Sequence, residues 1–386
     1  MSTAPAARRV AVLGGGILGV STAVHLLREG ASVVLVTEAD LASGASGRSL
    51  SWLNSAGERP TPYHRLRLAG IDRYRTLFAA DPTRDWLRFD GGLHWAGTGS
   101  DEDTVARHEY ETAHAYDSVL VAPATVGDHT PGISPEAVGA VAIFNPGEGW
   151  VSLPHLIEFL MGEFTARGGE LVTNAGAARV LVEHGRAAGV ATAAGAVAAD
   201  AVVVACGPQT PAVVAELGVE IPDASPVSML VTTAPVEHPV RAVLNTPRAA
   251  VRPNPGNTLA LDHDWYEESI TQDADGTYSI PEEVVDELAA EAAALLEGRP
   301  HLTAASWKIG RKPIPGDGEP VLGELDTVPG CFVAFTHSGA TLGLIAGELL
   351  AGEIMTGRRH PMLETFRPGR FAVRASAEAG RWTSGS

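Results

Sequence analysis

The sequence predicts an α/β (α+β) fold, in which a Rossmann-like nucleotide-binding domain carries an inserted antiparallel-sheet domain. Near the start of the chain an apolar run, 10–13, leads into three consecutive glycines and then into a segment with helical periodicity. After about residue 222 the character changes, because Pro and Thr become frequent and short apolar runs alternate with turns. The chain has 386 residues, which is enough for two domains.

A strand–helix–strand unit opens the chain. Residues 10–13 are apolar and partly β-branched, which favours a buried strand, and 17–28 show apolar residues at helical spacing. Gly30 follows this helix and is a suitable C-cap. Residues 32–36 form a second apolar strand, so the unit is of the βαβ type.

The later elements are predicted from the same periodicities. An α/β pattern like that at the start returns at the end of the chain, so the two domains are expected to be interleaved in sequence. Further helices are predicted at 63–80, 101–118, 153–167, 281–297 and 339–351. Further strands are predicted at 91–96, 141–144, 201–205, 228–233, 249–252, 258–262 and 332–335, with a meander at 170–192. The predicted nucleotide-binding domain comprises 1–90, 141–225 and 306–386, and the substrate-binding domain comprises 91–140 and 226–305.

The composition excludes several classes of partner. A net charge of −18 argues against nucleic acid, which requires clustered Lys and Arg, and against anionic membranes. The two cysteines, Cys206 and Cys331, match no metal site or redox pair and predict no disulfide, as expected in a reducing cytoplasm. The start of the chain lacks a signal-peptide pattern, and the apolar stretch 331–352 is interpreted as a buried strand and helix. We therefore expect a cytoplasmic protein without a metal.

The segment Gly14-x-Gly16-x-x-Gly19 lies between the first strand and the first helix. The first glycine permits a tight turn, the second lets a pyrophosphate approach the backbone, and the third lets helix and strand pack closely. The start of the helix then offers N–H groups and a partial positive charge to phosphates. Glu38 follows the second strand, where a carboxylate can accept ribose hydroxyls. The expected dinucleotide contacts are Gly14, Gly16, Ile17, Leu18, Gly19 and Glu38.

A second loop, 42–49, follows the predicted ribose acid and is rich in small and hydroxyl residues with one cation. Such a loop could lie along the diphosphate of FAD and reach the flavin, whereas an NAD-binding domain has no need of it. A further glycine ends the strand at 201–205. The additional FAD contacts expected here are Ser46, Gly47, Arg48, Ser49 and Gly207.

At this point the sequence resembles the flavoprotein family of D-amino-acid oxidase, glycine oxidase and sarcosine oxidase, over nearly the whole chain. Besides the two loops, the resemblance rests on segments 147–151, 199–207, 312–323 and 336–342. It implies FAD and oxidation of the C–N bond of an amine or amino acid to an imine, by hydride transfer to flavin N5, with electrons passing to O2. It also implies that the start of the last helix contacts the flavin through Ser338, Gly339, Ala340 and Thr341.

The same resemblance indicates positions for catalysis. Lys312 occupies the place where many relatives have an arginine that binds the substrate carboxylate, and lysine cannot form the bidentate contact of arginine. Either Lys312 holds the carboxylate less directionally, or Arg311 beside it is the ligand, or the substrate has no carboxylate. Only two of the 28 Lys and Arg residues are lysines, Lys308 and Lys312. Because the chain otherwise uses arginine, we expect these lysines to have a chemical role, such as assistance to oxygen reduction. His337 is expected near the flavin, in either a catalytic or a structural role.

Two residues of the inserted domain, Arg252 and Tyr266, could line a substrate pocket, with core packing or surface exposure as the alternative. Some relatives attach FAD through a cysteine just before the late Pro-Asp motif, but 311–317 contains none, so we expect noncovalent FAD. Three other functions remain open. They are a dehydrogenase of the same fold that passes electrons to a carrier, an NAD-dependent dehydrogenase, and a nonenzymatic nucleotide-binding subunit.

Overall fold

The computed structural model describes residues 7–97, 99–193 and 195–372. None of the helices within these residues is long and apolar enough to cross a membrane. The α-helices of the described chain are α1 (Ile17–Arg28), α2 (Thr61–Ala80), α3 (Asp101–Ala113), α4 (Val126–His129), α5 (Leu153–Ala166), α6 (Thr210–Ala215), α7 (Glu282–Ala294) and α8 (Gly339–Thr356).

The strands of the described chain form one six-stranded sheet, one eight-stranded sheet and three small sheets. They are β1 (Arg9–Leu13), β2 (Ser32–Val36), β3 (Trp52–Leu53), β4 (Leu87–Arg88), β5 (Gly92–His94), β6 (Val119–Val121), β7 (Ala142–Asn145), β8 (Gly149–Val151), β9 (Glu170–Val172), β10 (Arg179–Glu183), β11 (Arg186–Thr192), β12 (Gly195–Ala198), β13 (Ala201–Val204), β14 (Val227–Thr233), β15 (Val243–Asn245), β16 (Ala250–Asn254), β17 (Thr258–Asp262), β18 (Thr271–Gln272), β19 (Tyr278–Ser279), β20 (Ala304–Arg311), β21 (Val321–Glu324) and β22 (Cys331–Phe335).

The first of two compact units comprises the described parts of 1–47, 153–226 and 311–386. Its six-stranded sheet has the order β21-β22-β13-β1-β2-β9, and only β21 runs antiparallel to its neighbour. Strands β1, β13 and β22 are almost continuously apolar and buried, as is typical of parallel strands covered on both faces. Helix α8 packs closely on α1, since a Cβ at Gly347 would lie only 2.4 Å from Ser21 Oγ.

The second unit comprises the described parts of 48–152 and 227–310. Its large sheet has the order β20-β14-β17-β16-β15-β5-β7-β6. Residues in register across this sheet, among them Leu261, Val251, Leu244 and Leu93, share one face and form the core with α7. Because successive side chains of a strand alternate, the neighbours of these residues point to the opposite face.

The predicted domain boundaries differ from this division. The sequence assigned 48–90 and 141–152 to the nucleotide-binding domain, whereas both segments lie in the second unit. The reason is strand pairing over long distances in sequence, because β7 pairs with β5 of the large sheet, and β8 pairs with both β3 and β4. Periodicity within a segment does not encode such partners. The roles of the two units as FAD-binding and substrate-binding domains stay predictions.

Most predicted helices and strands are present within a few residues of their expected bounds. The third helix ends at Ala113, five residues early, and the last helix continues to Thr356. Strand β20 was not predicted, because it lies at the edge of its sheet and most of its side chains are exposed, so it lacks an apolar pattern.

Candidate active site

The glycine loop between β1 and α1 has no room for side chains. Gly14 has φ +113°, a conformation that disfavours other residues, and a Cβ there would lie 2.2 Å from the carbonyl oxygen of Ala205. A Cβ at Gly19 would lie 1.9 Å from the carbonyl oxygen of Gly14. The first and third glycines therefore bring the start of α1 against the carboxyl ends of β1 and β13, as a dinucleotide loop requires.

The second small-residue loop folds back on this glycine loop. The backbone N–H of Ala42 donates to the carbonyl of Gly15 at 3.0 Å. The backbone N–H of Ile17 donates to Ser46 Oγ at 3.0 Å, and a Cβ at Gly16 would lie 3.1 Å from the same oxygen. The predicted contacts Gly16, Ile17 and Ser46 thus meet at the N-terminus of α1, next to Gly47.

The N-terminus of α8 lies beside that of α1. Ser338 is the N-cap residue, and Gly339, Ala340 and Thr341 form the first turn. A Cβ at Gly339 would lie 3.8 Å from Cγ2 of Ile17. Neither helix has an acidic residue in its first turn, so two partial positive charges lie close together without a compensating carboxylate. This arrangement fits an anionic dinucleotide such as FAD.

The two remaining predicted contacts of this unit follow neighbouring strands of the same sheet. Glu38 comes after β2 and its side chain is exposed. Gly207 comes after β13 and has φ +54°. Both therefore lie at the carboxyl edge of the parallel strands, where nucleotides bind in open sheets of this type.

Arg48 belongs to the second unit and packs against Gly310. A Cβ at Gly310 would lie 2.5 Å from Cζ of Arg48, so a larger residue there would displace the guanidinium. Burial lowers the pKa of Arg48. Beyond it, the backbone N–H of Ser51 donates to Ser49 Oγ at 3.1 Å, and Ser51 has φ +57°, so the chain turns sharply after the predicted flavin contacts.

Arg252 lies on the face of the large sheet opposite the core, and its guanidinium carbon is 5.1 Å from the ring centroid of Trp150. Its side chain donates to the carbonyl of Pro253 at 2.9 Å and to Oδ1 of Asn254 at 3.0 Å. Arg252 Nε and Trp150 Nε1 are buried, and neither has an acceptor among the described residues. Burial lowers the pKa of Arg252 to about 9.

Two predicted substrate contacts are held elsewhere. Tyr266 is completely buried within the hydrophobic core of the second unit, and its hydroxyl contacts the carbonyl of Met229 and Oδ1 of Asp262. Arg311 forms an ion pair with Asp223. Tyr266 has no surface to offer a substrate, so its predicted role as a substrate contact is wrong. Arg311 is half-buried and already pairs with a carboxylate, and its role as a substrate ligand stays a prediction.

The predicted catalytic residues have different environments. Lys308 is exposed on β20, on the same side of the strand as Gly310 and therefore on the side that Arg48 covers. Lys312 is half-buried, and its backbone N–H donates to the carbonyl of Pro226 at 2.8 Å. His337 is exposed between β22 and α8.

Trp150 and Gly310, which pack against the predicted site residues Arg252 and Arg48, were not selected from the sequence. Trp150 belongs to segment 147–151, which contributed to the family resemblance. The sequence therefore marked this segment but assigned Trp150 no role. Gly310 gave no signal, because its contact with Arg48 joins residues that are 262 positions apart in the chain.

Metal and thiol chemistry find no support in the described residues. No group of three or more His, Cys, Asp or Glu side chains within them could hold a metal ion. Both cysteines are free thiols, and burial raises the pKa of Cys206 and of Cys331 to about 12, which makes them poor nucleophiles.

The chain is similar to known proteins in its family profile, in its sequence and in its fold. A family profile described as FAD dependent oxidoreductase matches residues 9–353. A D-amino acid dehydrogenase of Cereibacter sphaeroides (strain ATCC 17023) is 29% identical over 194 residues. This alignment covers 49% of the chain and 43% of that protein, so it spans less than half of the relative.

Two solved structures share the fold. Glycine oxidase from Bacillus cereus ATCC 14579 superposes with a TM-score of 0.78 at 19% identity, covering 93% of this chain and 98% of that one. L-Amino acid deaminase from Proteus myxofaciens, in complex with anthranilate, gives 0.81 at 18% identity, covering 96% and 95%. The predicted fold class and the resemblance in sequence are confirmed.

Proposed function

Because the chain belongs to the family of FAD dependent oxidoreductases, we propose that it oxidises the carbon–nitrogen bond of an amino acid to an imine. The prediction of FAD as cofactor is confirmed by the family. In this reaction the carbon beside nitrogen loses a hydride and the nitrogen loses a proton. FAD, when bound, supplies the hydride acceptor, and the protein binds and orients the substrate.

The observation that carries the proposal is the pair of buried donors on Arg252 and Trp150. Leaving a buried donor unpaired costs about 1–3 kcal/mol, so two such donors side by side indicate an acceptor that arrives with a ligand. A carboxylate suits a guanidinium because it can accept two parallel hydrogen bonds. This favours an amino acid over a simple amine, and it favours Arg252 over Lys312 as the carboxylate ligand.

The first unit supports the cofactor assignment residue by residue. The glycine loop, the N-terminus of α1 and Ser46 would hold the diphosphate, and the first turn of α8 would hold the flavin. The partial positive charge at the start of α8 favours negative charge near it. Ser46, Gly207, Ser338 and the other predicted contacts remain our proposal for this site, with noncovalent attachment.

For the electron acceptor we propose O2, with Lys308 and Lys312 as the residues that assist its reduction. The similarity to a D-amino acid dehydrogenase favours a second candidate, in which the electrons pass to another acceptor. The two are separated by following oxygen consumption and dye reduction with the same substrate. A cytoplasmic location stays a prediction.

The experiment compares each amino acid with the amine that lacks only its carboxylate. We expect anaerobic bleaching of the flavin by amino acids, with a KM at least about a hundredfold below that of the matching amine, the equivalent of two charge-assisted hydrogen bonds. Arg252→Leu should abolish this preference. Arg241→Leu, at an exposed arginine of the same unit, is the control. Equal use of amine and amino acid by the wild-type enzyme would contradict the proposal.

A further inference from the structure

A buried carboxyl group lies close to the Arg252–Trp150 pair. Glu148 is 0% exposed. Its Oε2 accepts a hydrogen bond from Trp52 Nε1 at 2.7 Å, and its Oε1 accepts one from the Tyr116 hydroxyl at 2.5 Å. Both partners are uncharged donors, and a carboxyl group has an oxygen for each of them.

The large sheet is shaped to admit this side chain. A Cβ at Gly92 would lie 2.1 Å from Glu148 Oε2 and 3.1 Å from Trp52 Nε1, so the glycine provides the space that both groups occupy. The strand register places Leu244 opposite Val251, and its continuation by one residue brings Arg252 level with Val243, which lies opposite Gly92. Glu148, which fills the space beside Gly92, therefore packs on the same face of the sheet as Arg252, and the backbones of Gly92 and Arg252 are two strand spacings, about 10 Å, apart.

Glu148 also connects the strands that carry the tryptophans. Strands β3 and β8 pair antiparallel with Trp52 opposite Trp150. The Tyr116 hydroxyl accepts a hydrogen bond from the backbone N–H of Ser55 at 2.8 Å, just beyond β3. Through these two donors, the carboxyl group fixes the side chain on β3 and the loop that follows it.

We propose that Glu148 is a positioning residue for substrate binding, which holds β3 against β8 and so keeps Trp150 against Arg252. Its carboxyl group is bound to Trp52 and Tyr116 and acts through them. The inference rests on the proposed function only for the identity of the ligand, a carboxylate at Arg252.

The neutral amide of glutamine is a suitable conservative replacement. Burial raises the pKa of Glu148 to about 8, so the native group is largely uncharged at neutral pH. A glutamine carbonyl can accept from Trp52 Nε1 while its amide N–H donates to the Tyr116 oxygen. Alanine leaves both donors without an acceptor, and Trp52→Phe removes one hydrogen bond while it keeps an aromatic ring.

The test uses the FAD-loaded enzyme and benzoate, a carboxylate that cannot be oxidised at a C–N bond. We expect Trp52→Phe to raise the Kd of benzoate, and the KM of the amino acid, by about tenfold, as loss of one buried hydrogen bond implies, and Glu148→Ala, which loses two, to raise them at least as much. The value of kcat should stay within about twofold, and Glu148→Gln should bind like the wild type. Tyr74→Phe, a fully buried tyrosine of the same unit, is the control.

Benzoate binding separates the two proposals, because it requires no turnover. If the wild-type enzyme oxidises no amino acid but Trp52→Phe binds benzoate more weakly than the wild type, the proposed reaction is contradicted and the role of Glu148 is supported. Unchanged benzoate affinity in Trp52→Phe, the same loss in Glu148→Gln as in Glu148→Ala, or no benzoate binding by the wild-type protein would overturn the role of Glu148.

Discussion

The hydroxyl of Ser46 caps helix α1, since its Oγ accepts a 3.0 Å hydrogen bond from the backbone N–H of Ile17. The N-cap residue of that helix is Gly16, which has no side chain to do so. The capping acceptor therefore comes from the second loop and not from the glycine loop. The glycine loop and the second loop meet at the N-terminus of α1, which we call the loop corner, and both are needed to form the proposed diphosphate site.

Replacement of this hydroxyl should weaken FAD binding. Ser46→Ala removes an N-cap interaction worth about 1 kcal/mol that holds the two loops in the arrangement proposed to bind FAD, so the Kd for FAD should rise by up to about fivefold. The measurement is titration of the apoprotein with FAD, followed by quenching of flavin fluorescence. Ser43→Ala, an exposed serine of the same loop, should bind FAD like the wild type. Equal affinities for the two variants would argue against the proposed role of the loop corner.

Two helical glycines should respond oppositely to alanine. Gly19→Ala places a Cβ 1.9 Å from the carbonyl oxygen of Gly14 and should lower the free energy of unfolding by about 1–3 kcal/mol or more. Gly352→Ala, in α8, meets nothing within 4 Å and should raise it by about 0.5–1 kcal/mol. Urea unfolding of both variants checks this, and a neutral Gly19→Ala would contradict the close packing of α1 on the glycine loop.

The packing of Arg48 predicts a distant effect on the cofactor. Gly310→Ala would displace the Arg48 guanidinium, which lies 2.5 Å from the added Cβ. If Arg48 contacts FAD as predicted, this variant should bind FAD about tenfold more weakly, as expected when one charge-assisted hydrogen bond is lost. Ser306→Ala, at an exposed position of the same strand, serves as the control. Wild-type affinity in Gly310→Ala would mean that Arg48 has no part in holding FAD.

The buried carboxyl of Glu148 should make stability depend on pH. Burial raises its folded-state pKa to about 8 from the ordinary 4.5, so its contribution is fully present below pH 4.5 and is lost as the pH rises towards 8 and beyond. Glu148→Gln cannot ionise at this position. The free energy of unfolding of the variant minus that of the wild type should therefore increase between pH 4.5 and 8, on the order of 1 kcal/mol per pH unit. Chemical denaturation between pH 5 and 9 measures the difference. Parallel curves would place the folded pKa near its ordinary value.

Much of the first unit could be predicted from the sequence, although strand β21 and helix α6 were not. Its strands, its glycine loop and its second loop are continuous segments whose periodicity and glycine spacing carry the information. The bounds of β1, α1 and β2 agree with expectation to within one residue. The cap from Ser46 to Ile17 could not be predicted, because it depends on how one loop folds onto another.

The second unit was harder to predict, since its site depends on partners far apart in the chain. Arg252 was selected from the sequence, but its stacking on Trp150 arises only when β8 joins β3 and β4 next to the large sheet. Tyr266 was also predicted to line a substrate pocket, but it lies in the hydrophobic core. It follows the end of a strand, where the alternation of side chains no longer determines which face a residue occupies. The space at Gly92 for Glu148 has no counterpart in any sequence pattern.

The central claim is tested most directly by the visible spectrum of the purified protein, recorded anaerobically before and after addition of a panel of amino acids. We predict flavin absorbance, with peaks near roughly 370 and 450 nm that belong to the cofactor, and bleaching of the longer-wavelength peak by at least one amino acid. A yellow protein that no amino acid or amine bleaches would contradict the proposed reaction, and a colourless protein that cannot be reconstituted with FAD would contradict the cofactor assignment as well.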